Sequence, residues 1–237
     1  MFHKLYLPLL AIIWLPLAVH GRVNEPQAAV QIRAVLHDPM HPVAELYFID
    51  KDGEAQRLDF RPKAFSRPFT TMPLDGSLVL YDKAEIDPEK PTAGLAASVK
   101  LSEGIRRAIV VVVPAPEGKK PAYRILVIDD SEEAFPGGES LVLPLIRANI
   151  VIQAGEHTVP VHPGKLAIVP SVEEKNDFNM AQTNFHYQNG DKWVTFAERQ
   201  LQFLEASRRL FIIDVTPGAL QPRVTTIMDV KRAGEWR

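Results

Sequence analysis

Cysteine is absent from the 237 residues. That excludes disulfides, thiolate nucleophiles and a cysteine-linked lipid anchor, so the fold rests on its core alone. Basic runs are absent too, and the formal net charge is −2. Neither a nucleic-acid footprint nor a polybasic attraction to anionic lipid is present. None of the asparagines opens an Asn-x-Ser/Thr acceptor, which fits a bacterial envelope protein better than a eukaryotic secreted one. Apolar runs long enough to span a bilayer are missing after the first twenty residues.

The N-terminus itself is apolar. Lys4 precedes a run from Leu5 to Val19, the length of a signal-peptide core and short for a membrane span. Pro8 and Pro16 each remove a backbone donor from any spanning helix. Val19 and Gly21 supply the small residues of a cleavage site, so cleavage is expected after Gly21, with Arg22 as the mature N-terminus. An uncleaved anchor is the alternative. The expected address is the periplasm or cell envelope, or the extracellular medium.

Short apolar runs punctuated by Pro, Gly, Asp and Asn fill the rest, which is the strand-and-turn signature. Val30–Leu36 alternates in and out. Asp52-Gly53 and Asn189-Gly190 sit between strand-like runs as hairpin turns, because glycine accepts the positive φ such turns require. Asp75-Gly76 reads as a further hairpin between 65–72 and 77–81. Ala108–Val113 is continuously apolar and β-branched, which predicts a central strand buried on both faces. The tight turns between 140 and 169 read as a meander. Over Phe196–Arg209 a helix competes with a strand, and strand or irregular structure is preferred. About fifteen strands at this spacing predict an all-β protein of two small immunoglobulin-like sandwich domains, 22–131 and 132–237, after the signal peptide 1–21. The acidic stretch Asp129–Glu133 followed by Pro136-Gly137-Gly138 marks the boundary. No internal repeat is evident.

Phe135-Pro136-Gly137-Gly138-Glu139-Ser140, the run Ile150–Glu156, Val161-His162-Pro163-Gly164-Lys165, Asn189–Trp193 and Ser207–Phe211 follow one another in the C-terminal half. This order resembles a group of uncharacterised exported bacterial β-sandwich proteins, a family with no assigned activity. The resemblance implies fold and address only. Periplasmic pilus chaperones are exported sandwich pairs of similar length, but their alternating edge strand and basic cleft pair are not recognisable here.

Candidate chemistry is sparse. His37, Asp38, Met40 and His41 place two imidazoles, a carboxylate and a thioether within five residues, a donor set suited to copper. A polar turn initiated by Asp38-Pro39 explains the same residues. Asp50–Glu54 lacks the distal glutamate of a calcium loop. Asp129, Asp130, Glu132 and Glu133 could hold calcium, or form a solvated linker. Gly138-Glu139-Ser140 lacks the second glycine of a serine elbow. His157, His162 and His186 are possible general bases with no assignable partner. Phe185, Tyr187 and Trp193, with Phe196, flank one hairpin and could stack a sugar or fill a core.

No catalytic set stands out and no cofactor is expected. The expected function is that of a non-enzymatic protein-binding or assembly module of the cell envelope, with an envelope protein as partner. A carbohydrate-binding module is the first alternative, with a glycan ligand. A metal-dependent or hydrolytic enzyme is the second.

Overall fold

A computed structural model of the protein describes residues 28–37, 45–86, 90 and 92–230. The expected signal peptide lies outside the described residues, as do Asp38, Met40 and His41. Among the described residues there are sixteen strands and no helix. In chain order they are β1 (Val30–Leu36), β2 (Tyr47–Ile49), β3 (Ala55–Arg57), β4 (Phe69–Thr71), β5 (Ser77–Tyr81), β6 (Leu95–Lys100), β7 (Arg107–Pro114) and β8 (Tyr123–Asp129). β9 (Ser140–Pro144), β10 (Ile150–Ala154), β11 (His157–Val161), β12 (Ala167–Val169), β13 (Met180–Asn189), β14 (Lys192–Gln202), β15 (Ser207–Asp214) and β16 (Arg223–Val230) follow.

The first eight strands build two sheets, ordered β4-β1-β7-β8 and β3-β2-β5-β6. The last eight repeat that plan as β12-β9-β15-β16 and β11-β10-β13-β14. The directions repeat as well: β1 runs parallel to β7, β9 runs parallel to β15, and the other pairs are antiparallel. Even the irregularity recurs, with a register shift between β5 and β6 at Leu80/Tyr81 and between β13 and β14 at Phe185/His186. The sequence shows no such repeat because its period lies in pairing rather than in residue identity.

Each pair of sheets closes on its own core. Ile32, Ala34, Val110 and Val112 of one sheet meet Phe48, Leu78, Leu80 and Ala97 of the other. In the second half Val142, Phe211 and Ile213 meet Ile150, Ile152 and Phe185. A third core joins the two sandwiches. Val35, Ile109, Val111, Val113 and Ile128 project from the opposite face of their sheet and pack with Leu141, Leu143, Leu210, Ile212 and Ile227. Because successive residues of a strand face opposite ways, β7 and β15 feed two cores at once. This explains the unbroken apolar run of 108–113, read from the sequence as buried on both faces and buried here.

Two expectations are corrected. Asp75-Gly76 forms a turn, but β4 and β5 do not pair: β4 joins β1 and β5 joins β2 and β6. The chain crosses between sheets there, with only the Leu74–Ser77 bridge across the turn. The segment 140–169 is no meander either, since β9 pairs with β12 and β15 while β10 pairs with β11 and β13. Over 196–209 the strand reading holds: β14 runs to Gln202 and β15 begins at Ser207.

Candidate functional site

The interface between the sandwiches carries charge at both ends of its apolar centre. At one end Arg33 of β1 binds two carboxylates. Its Nη1 and Nη2 donate to Asp229 Oδ1 and Oδ2 at 2.8 Å each, and its Nε and Nη2 donate to Asp130 Oδ2 and Oδ1 at 3.0 and 2.8 Å. Arg208 of β15 binds the same two, with Nε on Asp229 Oδ2 at 2.9 Å and Nη2 on Asp130 Oδ1. Arg208 Nη1 donates to the Phe135 carbonyl at 2.6 Å, and its guanidinium lies 4.5 Å over the Phe135 ring. Arg107 approaches Asp130 at 3.8 Å. Burial opposes ionisation of Asp229, but the hydrogen bonds and charges of Arg33 and Arg208 outweigh it and lower its pKa. Burial likewise opposes the charge on Arg33, and the bonds to Asp229 and Asp130 raise its pKa in spite of it.

At the other end lies His37, one of the four residues read as a metal set. Its Nε2 sits 3.0 Å from Asp214 Oδ2, at the end of β15. Arg223 donates to the same carboxylate from Nε at 2.8 Å and Nη2 at 3.1 Å. Burial pushes the Asp214 pKa up, and the His37 and Arg223 bonds bring it below the usual range. His37 thus ties the first sandwich to the second. Among the described residues no group of three or more His, Asp or Glu side chains is arranged to hold a metal ion.

Most of the other acidic candidates are engaged with protein groups. Asp50 Oδ1 accepts from the backbone N–H of Asp52 and Glu54 at 2.9 Å, the arrangement of a hairpin turn. Its pKa is lowered, the Glu54 N–H being the largest cause. Asp129 accepts from Ser131 N, Glu132 accepts from Gly137 N, and Asp130 is buried among arginines. Ser140 is 0% exposed at the start of β9, so it presents no nucleophile to solvent. His157 Nε2 lies 3.0 Å from both the Ser171 carbonyl and Glu156. The Glu156 pKa is lowered to about 2 by backbone N–H donors, Glu173 first.

The aromatic set is divided. Phe185 is 0% exposed and packs edge-on against Phe211 in the second core. Tyr187, half-buried, meets Phe196 edge to face. Trp193 faces the other way and is 52% exposed. A platform of Phe185, Tyr187 and Trp193 is therefore not formed. Strand alternation puts Phe185 and Tyr187 on one face, and that face is the core.

Sequence reasoning missed Phe178, which is 75% exposed. Its loop is tightly held. Asn176 Oδ1 accepts from Phe178 N and Met180 N at 3.0 Å. Gln202 Nε2 donates to the Phe178 carbonyl at 3.1 Å, and Phe203 N donates to the Asn179 carbonyl at 2.7 Å. Asn179 adopts a φ of 58° to make the turn. The adjoining segment presents Leu204, 38% exposed. The signal in the sequence was Asn176-Asp177-Phe178-Asn179, an Asx-rich turn with an aromatic at its tip. No family model matches the chain, and no curated protein is significantly similar to it.

Proposed function

We propose that the chain is a non-enzymatic protein-binding module of the bacterial cell envelope, exported by its N-terminal signal and acting in assembly or adhesion. The observation that carries this reading is Phe178, held outward at the tip of a loop hydrogen-bonded to Gln202 and Phe203, with Leu204 exposed on the segment that follows. An exposed aromatic on a rigid support loses little conformational freedom when a partner covers it, the property of an interface anchor. Full burial of such a side chain is worth about 2–3 kcal/mol, or about 30- to 150-fold in affinity. The remaining polar clusters support the same reading, because their carboxylates, arginines and His37 are engaged with one another across the interface. Sheet edges such as β14 add a second physical route to a protein partner, by strand addition.

The test uses the tagged full chain in its own cells, with a photo-crosslinking residue at position 204. A single envelope protein should be captured, and Phe178→Ala should abolish the adduct while leaving the melting temperature within about 2 °C. Capture that survives Phe178→Ala, or a chain that stays in the cytosol at full length, refutes the proposal.

A further inference from the structure

The outward face of the β11-β10-β13-β14 sheet has a composition that the fold does not require. Its strands pair in register, so the side chains sharing that face are fixed. They are dominated by carboxamides and hydroxyls. Among the described residues on these four strands, Glu198 is the sole fully charged side chain on that face. The topological repeat supplies an internal comparison. The equivalent face of the β3-β2-β5-β6 sheet carries Arg57, Val79 and Lys100, and no carboxamide. One scaffold therefore carries two different surfaces, and the amide-rich one is specific to the second half.

That surface is also ordered. His186 Nε2 donates to Gln153 Oε1 at 3.1 Å, and His186 Nδ1 shares a hydrogen bond of 2.8 Å with Thr195 Oγ1. Asn149 Nδ2 donates to Gln188 Oε1 at 2.8 Å. Opposite Gln188 in the ladder stands the half-exposed Trp193. These bonds span β10, β13 and β14 and leave each amide with further donors and the hydroxyl with a lone pair. We propose that this face binds an uncharged polysaccharide, with Trp193 stacking on a sugar ring and Gln153, His186, Thr195 and Gln188 exchanging hydrogen bonds with its hydroxyls.

The chemistry selects the ligand class. Covering a charged face with a neutral ligand strands ions, whereas a neutral amide face loses only hydration that sugar hydroxyls replace, donor for acceptor. The ring pre-ordered by His186 lowers the entropy of that exchange. A four-strand face is about 14 Å across, wide enough for a chain of several sugar units. Trp193 and Gln202, the residue beside Phe178, lie nine positions apart on β14, or about 30 Å. Glycan and protein contacts are thus separate, and one chain could hold both at once.

The test is affinity electrophoresis of the full chain through gels containing hydroxyethylcellulose, xyloglucan, dextran or alginate. At least one of the three neutral polymers should retard the chain. Trp193→Ala should weaken that retardation at least tenfold, His186→Ala should reduce it, and Phe178→Ala should leave it unchanged. The Trp193 side chain is on the surface, so its removal leaves the core intact, which the unfolding curve checks. Retardation by none of the neutral polymers, retardation by alginate alone, or retardation that persists in Trp193→Ala overturns the proposal. None of these outcomes touches the Phe178 contact, so the two readings fail separately.

Discussion

Asp229→Asn keeps the side chain's shape and removes one charge from the interface. In the native chain Asp229 receives two bonds from Arg33 and one from Arg208, and both guanidinia also reach Asp130. After the substitution a single carboxylate must compensate two arginines, with Arg107 3.8 Å away. Breaking a buried pair by removing one partner costs about 3–5 kcal/mol, because the surviving charge stays desolvated. Asp130 remains as a partner and Asp229 keeps some solvent contact, so about 3 kcal/mol is expected. That is a large share of a stability of about 5–15 kcal/mol. With an m-value near 2–3 kcal/mol/M, the urea midpoint should fall by about 1–1.5 M. A shift below about 0.3 M, the size seen for a surface substitution, would refute the ionic account of the interface.

Acidity separates charge from shape in the same experiment. The pKa of Asp229 is lowered in the folded protein. Its contribution is therefore complete above the unfolded value of about 3.9 and is lost as pH falls through the lower folded value. The wild-type and Asn chains should differ fully at neutral pH and converge well below pH 4. A difference that persists unchanged in acid would assign the loss to packing instead.

Two further outcomes follow from local geometry. The Glu156 carboxyl should titrate at about 2 by carbon NMR, held down by the Glu173, Glu156 and Glu174 N–H groups. The stabilisation it brings is present above its unfolded value near 4.3 and lost on acidification towards 2, and titration near 4 would mean those bonds are not made in solution. Gly155→Ala should cost more than Gly53→Ala in thermal unfolding, although both glycines have positive φ. The new methyl at 155 collides with Val172 Cγ1, whereas that at 53 meets open space. About 1 kcal/mol is expected at 53 and about 2–4 kcal/mol at 155. Equal costs would show that the contact with Val172 relaxes freely.

The strands were legible because their signal is local. β1, β5 and β10 fall where alternation and flanking turns put them, over 30–36, 77–81 and 150–154. What stayed hidden was partnership. An Asp-Gly turn specifies a reversal of direction, but whether the two runs pair depends on which sheet buries each. At Asp75-Gly76 the sheets differ. The interface was hidden for the same reason. The double burial of 108–113 showed that a second surface covers β7, but nothing local named β9, β15 and β16 as that cover. The clearest unread signal was Arg208-Arg209 opening a run of apolar residues, since two adjacent arginines in a doubly buried strand must face two interiors. The first enters the ion cluster. The second is 1% exposed, lies 4.9 Å from the Phe203 ring, and has its pKa lowered by burial. Phe178 and Trp193 were equally obscure, because composition alone does not distinguish an aromatic in a core from one on a surface.

Topological equivalence also explains where the interface charges fall. The ladders align Arg107 with Arg208, and Asp130 with Asp229, as cross-strand Arg–Asp neighbours in each half. By the same alignment Arg33 of β1 corresponds to Leu141 of β9, and His37 to Leu145. Asp214 of β15 corresponds to Val113 of β7. The polar residues that break the equivalence, Arg33, His37 and Asp214, all bond across the interface: Arg33 to Asp229, and His37 to Asp214. Two first-half faces brought together would set His37 against Val113 in place of Asp214, and would crowd two Arg33 guanidinia onto one pair of Asp130 carboxylates. Two second-half faces would bury Asp214 against Leu145. A buried polar group that loses its cross-interface partner costs free energy, which disfavours either like-with-like assembly. Hydrophobic burial makes the two sandwiches adhere, and these few asymmetric polar positions determine that each half selects the other.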